Sequence, residues 1–465
     1  MKSIQRSHWW PTVRPAVVIG VGVSMLVAVV SWGGTARPGP LFVAGVALAL
    51  GALVMFGLLG YWLYLSPMPE RAATLPMLSP ERRRLLALFL PIAGLLFTAG
   101  SIWDEAWHLR FGGFGDDFLW APHLLIYSSL AIIALFALGS VALLARGDLR
   151  ARFRSEPQIG IICLASALLV VSLPADQMWH IIYGVDLTAW SLPHVWIVAG
   201  MSLVMYSSIA LVLSFVPRSP WRGLVGIQGF ELLVFSLLMT AAIAVLQVGV
   251  TEWAEVREIP LQATGNNFRD AFWSRPEPLY PVVVTIIALF CGNLALHVTR
   301  RVGAATLLAL LVALCRTGSA LALAQFDGAV VAVQPFWLLL PAAVALDLWY
   351  ATRLPQAAHP RTLLLGSIIG SLASLAVVLP LISLSMVYPR VNAATLPWML
   401  IWSLLMGVIG GWAGAKLGEW LASRERVAAE ARSIPARTRW IAAATGALAL
   451  AYTLIVALTA TPPVV

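Results

Sequence analysis

Charge is what this sequence has least of. Only 11% of its 465 residues are Asp, Glu, Lys or Arg, while 60% are hydrophobic and mean hydropathy is +0.87. A soluble globular domain carries about 25% charged residues, so the composition excludes an aqueous fold and makes lipid the solvent. Cysteine is scarce too. Cys163, Cys291 and Cys315 all fall in apolar runs, which excludes a disulfide scaffold and reads as small core hydrophobes. There is no nucleotide-binding loop, no Ser/His/Asp arrangement and no Cys-x-x-Cys site, which argues against an ATP-driven pump. Long polar stretches are missing as well. The longest connection, 251–278, holds fewer than thirty residues and reads as a solvated loop, with capping a site or docking a partner as the alternatives, which argues against a sensor with an attached output module.

What the chain has instead is apolar runs of the length a helix needs to cross a bilayer, roughly 20 residues. Thirteen are legible, at about 15–32, 41–65, 85–103, 122–144, 158–175, 193–216, 224–250, 279–299, 303–325, 329–350, 362–387, 395–420 and 438–460. They predict an all-α, polytopic helix bundle forming a single transmembrane domain over 1–465. The first run lacks a small-residue cleavage site, which predicts a retained anchor. With the N-terminus inside, 23 of the 30 basic residues fall in cytoplasmic segments. By the positive-inside rule the chain would sit in the inner (cytoplasmic) membrane, N-terminus in and C-terminus out. The net charge of +9 reflects this bias, so no nucleic-acid partner is implied.

One motif occurs twice. Asp104-Glu-Ala-Trp-His108 is followed by Pro122-His123, and Asp176-Gln-Met-Trp-His180 by Pro193-His194. The expected topology places both copies on the extracytoplasmic side. Each Asp precedes its His by four residues, one helical turn, so the pair shares a face if the helix continues. Proline is tolerated where the returning helix begins, which fixes the second His near its first turn. Each hairpin then points one carboxylate and two imidazoles at a single spot. Asp104, His108, His123, Asp176, His180 and His194 are therefore the candidate metal ligands, with imidazole suiting copper, zinc and iron. Asp116, Asp117 and Asp186 are placed to orient the histidines or add a ligand. Trp107, Trp120, Trp179 and Trp190 are expected at the membrane interface. The segments 85–144 and 158–216 form a parallel internal repeat of two helical hairpins. That symmetry allows one shared centre or two separate ones.

The string Asp-x-x-Trp-His, an Asp six residues after the His, and then Pro and His resembles the C subunit of particulate methane and ammonia monooxygenases. The second copy matches best, through Asp176, His180, Asp186 and His194; the first matches through Asp104, His108 and His123. The family has one copy, and its Pro-x-His is Pro-His here. The resemblance implies copper as the cofactor, an oxidoreductase acting on a small apolar substrate, and other membrane or periplasmic subunits as partners.

Other readings of the same residues stand beside this one. Glu105-Ala-Trp-His108 is the Glu-x-x-His pair of di-iron bundles, although Gln177 replaces the acid in the second copy. Paired histidines also serve as axial haem ligands, and Asp/His pairs can form a purely structural network. A metal permease or a metalloenzyme assembly factor is the non-enzymatic alternative, but it would need polar groups along a path through the bilayer. Few are visible: Arg316, Asn293, Gln247 and Gln325. Arg316 requires a partner, with Glu252, Glu255 and Asp327 in view. His8, His297 and His359 read as interfacial or solvated. The segment 417–437 reads as a surface helix.

Overall fold

An uncharged run in a bilayer must pair its backbone polar groups within itself, because lipid offers no hydrogen-bond partner. The computed structural model is accordingly helical. Among the described residues the only extended pairing is an isolated bridge between Arg222 and Arg301. The structure describes residues 58–63, 80–111, 119–144, 149–183, 192–214, 220–255 except 225 and 228, 279–353 except 327, 329 and 330, 359–384, 393–423 and 436–460.

After a short helical stretch at 58–63, the order is α1 (Pro80–Phe111), α2 (Ala121–Leu144), α3 (Leu149–Ser155), α4 (Pro157–Tyr183) and α5 (Leu192–Leu213). There follow α6 (Gly229–Glu255), α7 (Leu279–Thr299), α8 (Ala304–Phe326), α9 (Gln334–Trp337), α10 (Leu339–Ala351), α11 (Pro360–Ser383), α12 (Leu396–Ala422) and α13 (Ala436–Thr459). Proline opens α1, α4 and α11 and sits second in α2, α5 and α12, where its missing N–H costs nothing.

Among the described residues nine helices, α1, α2, α4–α8, α11 and α12, are long and apolar enough to cross a membrane. The run expected at 329–350 is divided instead into α9 and α10 at Leu338. Pro341 has no N–H to bond the carbonyl of Trp337, so an uninterrupted ladder cannot form there. The apolar part of α13 is only Ala443–Thr459. The runs expected at 15–32 and 41–65 lie outside the described residues save for 58–63. The surface helix expected at 417–437 begins differently: 417–422 is the last turn and a half of α12, where Lys416 Nζ holds Glu419 Oε2 at 2.8 Å.

At the centre stands α7, buried over most of its length and covered by α6, α8, α10, α11 and α12. Its closest neighbour is α12, whose glycines allow near contact of backbones. A Cβ on Gly410 would lie 2.7 Å from the Ile286 carbonyl oxygen, and one on Gly414 would overlap that of Phe290. Small residues at this spacing let membrane helices approach where no hydrophobic force drives them together. The same centrality corrects the reading of His297. It is 3% exposed, its Nε2 3.3 Å from the Tyr350 hydroxyl and its Nδ1 3.6 Å from Glu419 Oε1. His359 is exposed as expected and caps α11, its Nδ1 accepting from the Arg361 N–H. All three cysteines are free, Cys291 buried and the others half-buried.

The ends of α1, α2, α4 and α5 that carry the motif lie together. At the opposite end of the bundle are buried ion pairs. Arg301 grips Glu231 at 2.6 and 2.7 Å and donates to the carbonyls of Gly223 and Gly226, while Arg83 pairs with Glu156. Asp347 accepts from the N–H groups of Gly303 and Thr306 at 2.6 and 2.7 Å, satisfying donors that the start of α8 leaves open.

Candidate metal centre

Helix α1 continues through the first motif to Phe111, so Asp104 and His108 do share a face one turn apart. Pro122 is the second residue of α2 and places His123 on its first turn. The two helix ends bring the three side chains together. Asp104 Oδ1 lies 3.0 Å from His123 Nε2 and 3.7 Å from His108 Nε2, and one donor atom from each residue lies within 4.8 Å of the others. Metal–nitrogen and metal–oxygen bonds of about 2.0–2.2 Å require donors roughly 3 to 4 Å apart. Asp104 Oδ1 is buried and makes no hydrogen bond of ordinary geometry, although two imidazole nitrogens face it. A cation between them would satisfy all three groups, and the donor set is of the kind that suits copper, zinc or iron.

Aromatic walls hold the imidazoles in place. The ring of Trp120 meets His108 edge-on at 5.1 Å and His123 at 5.4 Å. Trp107 packs on Trp120 at 5.5 Å and on Trp103 at 5.2 Å. Trp107 and Trp120 are 1% and 4% exposed, so they pack inside the bundle and form the back of the site. Helix α13 closes one side, with Val456 in the same apolar cluster and the Tyr452 hydroxyl donating to the Leu124 carbonyl.

In the second copy, His194 Nε2 is 3.6 Å from Asp176 Oδ1. Helix α4 continues through residue 180, but the His180 side chain lies outside the described residues, as do Asp116, Asp117, Asp186, Trp179 and Trp190. The copies are adjacent: α1 packs against α5 and α2 against α4. Asp104 lies within electrostatic reach of His194 as well as of its own two histidines. Tyr127 lies within reach of both Asp104 and Asp176, with its ring 5.5 Å from that of His123.

Arg316 finds its partner inside the motif. Its guanidinium grips both carboxylate oxygens of Glu105, Nη1 to Oε2 at 2.7 Å, and its Nε donates to the Ala332 carbonyl at 2.9 Å. Gln247 Nε2 adds a bond to Glu105 Oε2 at 2.6 Å, and the Gln247 Oε1 accepts from the Ser101 hydroxyl at 3.0 Å. Glu105 is therefore held by α6 and α8 and does not join the donor cluster of Asp104, His108 and His123. The sequence carried a signal for this. Gln177 replaces the acid in the second copy, so position 105 is not part of the repeated ligand set. Tyr127 was also missed; it follows His123 by one turn, but the corresponding residue of the second copy is Val198, so repetition did not point to it. No protein family, curated protein or solved structure matches this chain.

Proposed function

We propose that the chain is a multi-pass membrane protein of about thirteen spans whose extracytoplasmic face carries a His/Asp metal centre, with copper the first metal. The observation that carries it is the convergence of Asp104, His108 and His123 from two helix ends. Asp176, His194 and His180 complete a second half in a parallel repeat, and both halves serve one shared centre. The packing of α1 against α5 and of α2 against α4 supports sharing, while the close donor cluster itself holds Asp104, His108 and His123. The arginines at the opposite ends of these helices support the orientation, N-terminus inside.

Bound there, copper or iron would supply one-electron and oxygen chemistry. The chain's own residues orient the ligands, and the tryptophan wall limits water. The reading that follows from the motif is an oxidoreductase of the copper membrane monooxygenase type, acting with partner subunits on a small apolar substrate. A permease or an assembly factor that hands on its metal is the second reading. It gains from the buried group of Asn293, His297 and Tyr350, whose hydroxyl donates to Asn293 Oδ1 at 3.3 Å, because these place polar groups deep in the bundle.

Metal analysis of detergent-purified protein tests the centre. Wild type should retain metal, and His108→Ala and His180→Ala should each empty it if the copies share one site. Loss of half by each variant means two independent sites. Full occupancy in the double variant rejects the centre.

A further inference from the structure

The triad has two neighbouring carboxylates on one helix turn, Asp104 and Glu105, yet only Asp104 joins the cluster of donor atoms. Glu105 sits three residues before His108, a spacing at which helical side chains meet, and the Glu-x-x-His pair is a ready chelate for iron. What keeps it away is Arg316, fully buried, which takes both of its oxygens, and Gln247, which takes one of them again. Arginine's planar fork suits this task, since it matches a carboxylate at two points and holds its orientation. The fork is anchored in turn by the Ala332 carbonyl and lies over the Phe336 ring at 4.7 Å, so the guanidinium has little freedom to follow Glu105 toward the metal.

We propose that Arg316 sets the metal preference of the centre by withholding Glu105 from it. The inference rests on the Asp104 triad being a metal site. With Glu105 held, the first half offers two imidazoles and one carboxylate. With Glu105 released it would offer a second carboxylate, and oxygen ligands shift a site toward harder ions such as manganese, away from copper. Arg316 thus acts through Glu105 as a positioning residue, without touching the metal.

The test measures copper(II) and manganese(II) affinities of the full-length purified protein, with the electron paramagnetic resonance spectrum of bound copper. Glu105→Gln should leave the copper spectrum and the manganese-to-copper ratio as in wild type, because Glu105 is not a ligand and the amide oxygen that replaces its carboxylate can still accept from Arg316; the uncompensated Arg316 charge lowers the affinity for both cations alike. Arg316→Gln should raise manganese affinity relative to copper by on the order of tenfold, the size of effect that residues behind a ligand shell exert. The double variant should return to the wild-type ratio, having no carboxylate to release. A changed copper spectrum in Glu105→Gln overturns the proposal, and so does an unchanged ratio in Arg316→Gln. Should Arg316→Gln fail to fold, the Glu105→Gln spectrum still decides. Wild-type protein that binds neither metal rejects the centre itself, an outcome distinct from the others.

Discussion

Arg316 and Glu105 show how burial changes the meaning of a residue. Arg316 is completely enclosed and Glu105 nearly so, with side-chain exposures of 0% and 16%. Removing one partner strands the other's charge in a low-dielectric interior. Arg316→Leu should therefore cost about 3–5 kcal/mol, whereas replacing both with leucine should recover most of that loss, since apolar substitutes for a buried pair are often neutral. Thermal unfolding in detergent, followed for the two variants and wild type, checks this. A double variant as unstable as the single would mean that the loss comes from packing against Phe336 and not from the stranded charge. The sequence showed that Arg316 needed a partner but not which one. The pair is separated by 211 positions, and only the packing of α1 against α8 brings them together.

Elements tell a different story, because their signals are local. Run length and proline position marked the helices well, and the four-residue spacing of Asp104 and His108 correctly implied a shared face. What run length could not convey was interruption: 329–350 is apolar throughout its middle, but Pro341 removes the hydrogen bond that would join α9 to α10. Nor could composition distinguish a glycine that admits a neighbour from one facing open space. Gly414 and Gly446 look alike in sequence, each in a membrane-length apolar stretch. A methyl group on Gly414 would run into the Phe290 carbonyl, while Gly446 on α13 has nothing within 4 Å. Gly414→Ala should destabilise by roughly 1–3 kcal/mol through overpacking. Gly446→Ala should be neutral or slightly stabilising, because alanine favours helix by about 1 kcal/mol over glycine. Parallel melting curves read both, and equal effects would mean that the α7–α12 approach is looser than the glycines indicate.

For the whole molecule, the alternation of helix direction and the distribution of arginine make a joint statement about orientation. The Asp/His residues cluster where α1 and α4 end and α2 and α5 begin; Arg83, Arg222 and Arg301 lie at the other ends of the helices. If the arginine-rich face is cytoplasmic, the turn before Trp120 is outside and the end of α12 is inside. Leu119 is 64% exposed and Ser423 is also exposed, so each can carry a reporter thiol without disturbing the core. In a background lacking Cys163, Cys291 and Cys315, a membrane-impermeant maleimide should label Leu119→Cys in intact cells, and Ser423→Cys only after the membrane is opened. The reverse pattern inverts the protein and places the Asp104, His108 and His123 cluster on the cytoplasmic side. Labelling of both from outside breaks the alternation between α1 and α12, and with it the thirteen-span count, since an even number of crossings would then separate the two positions.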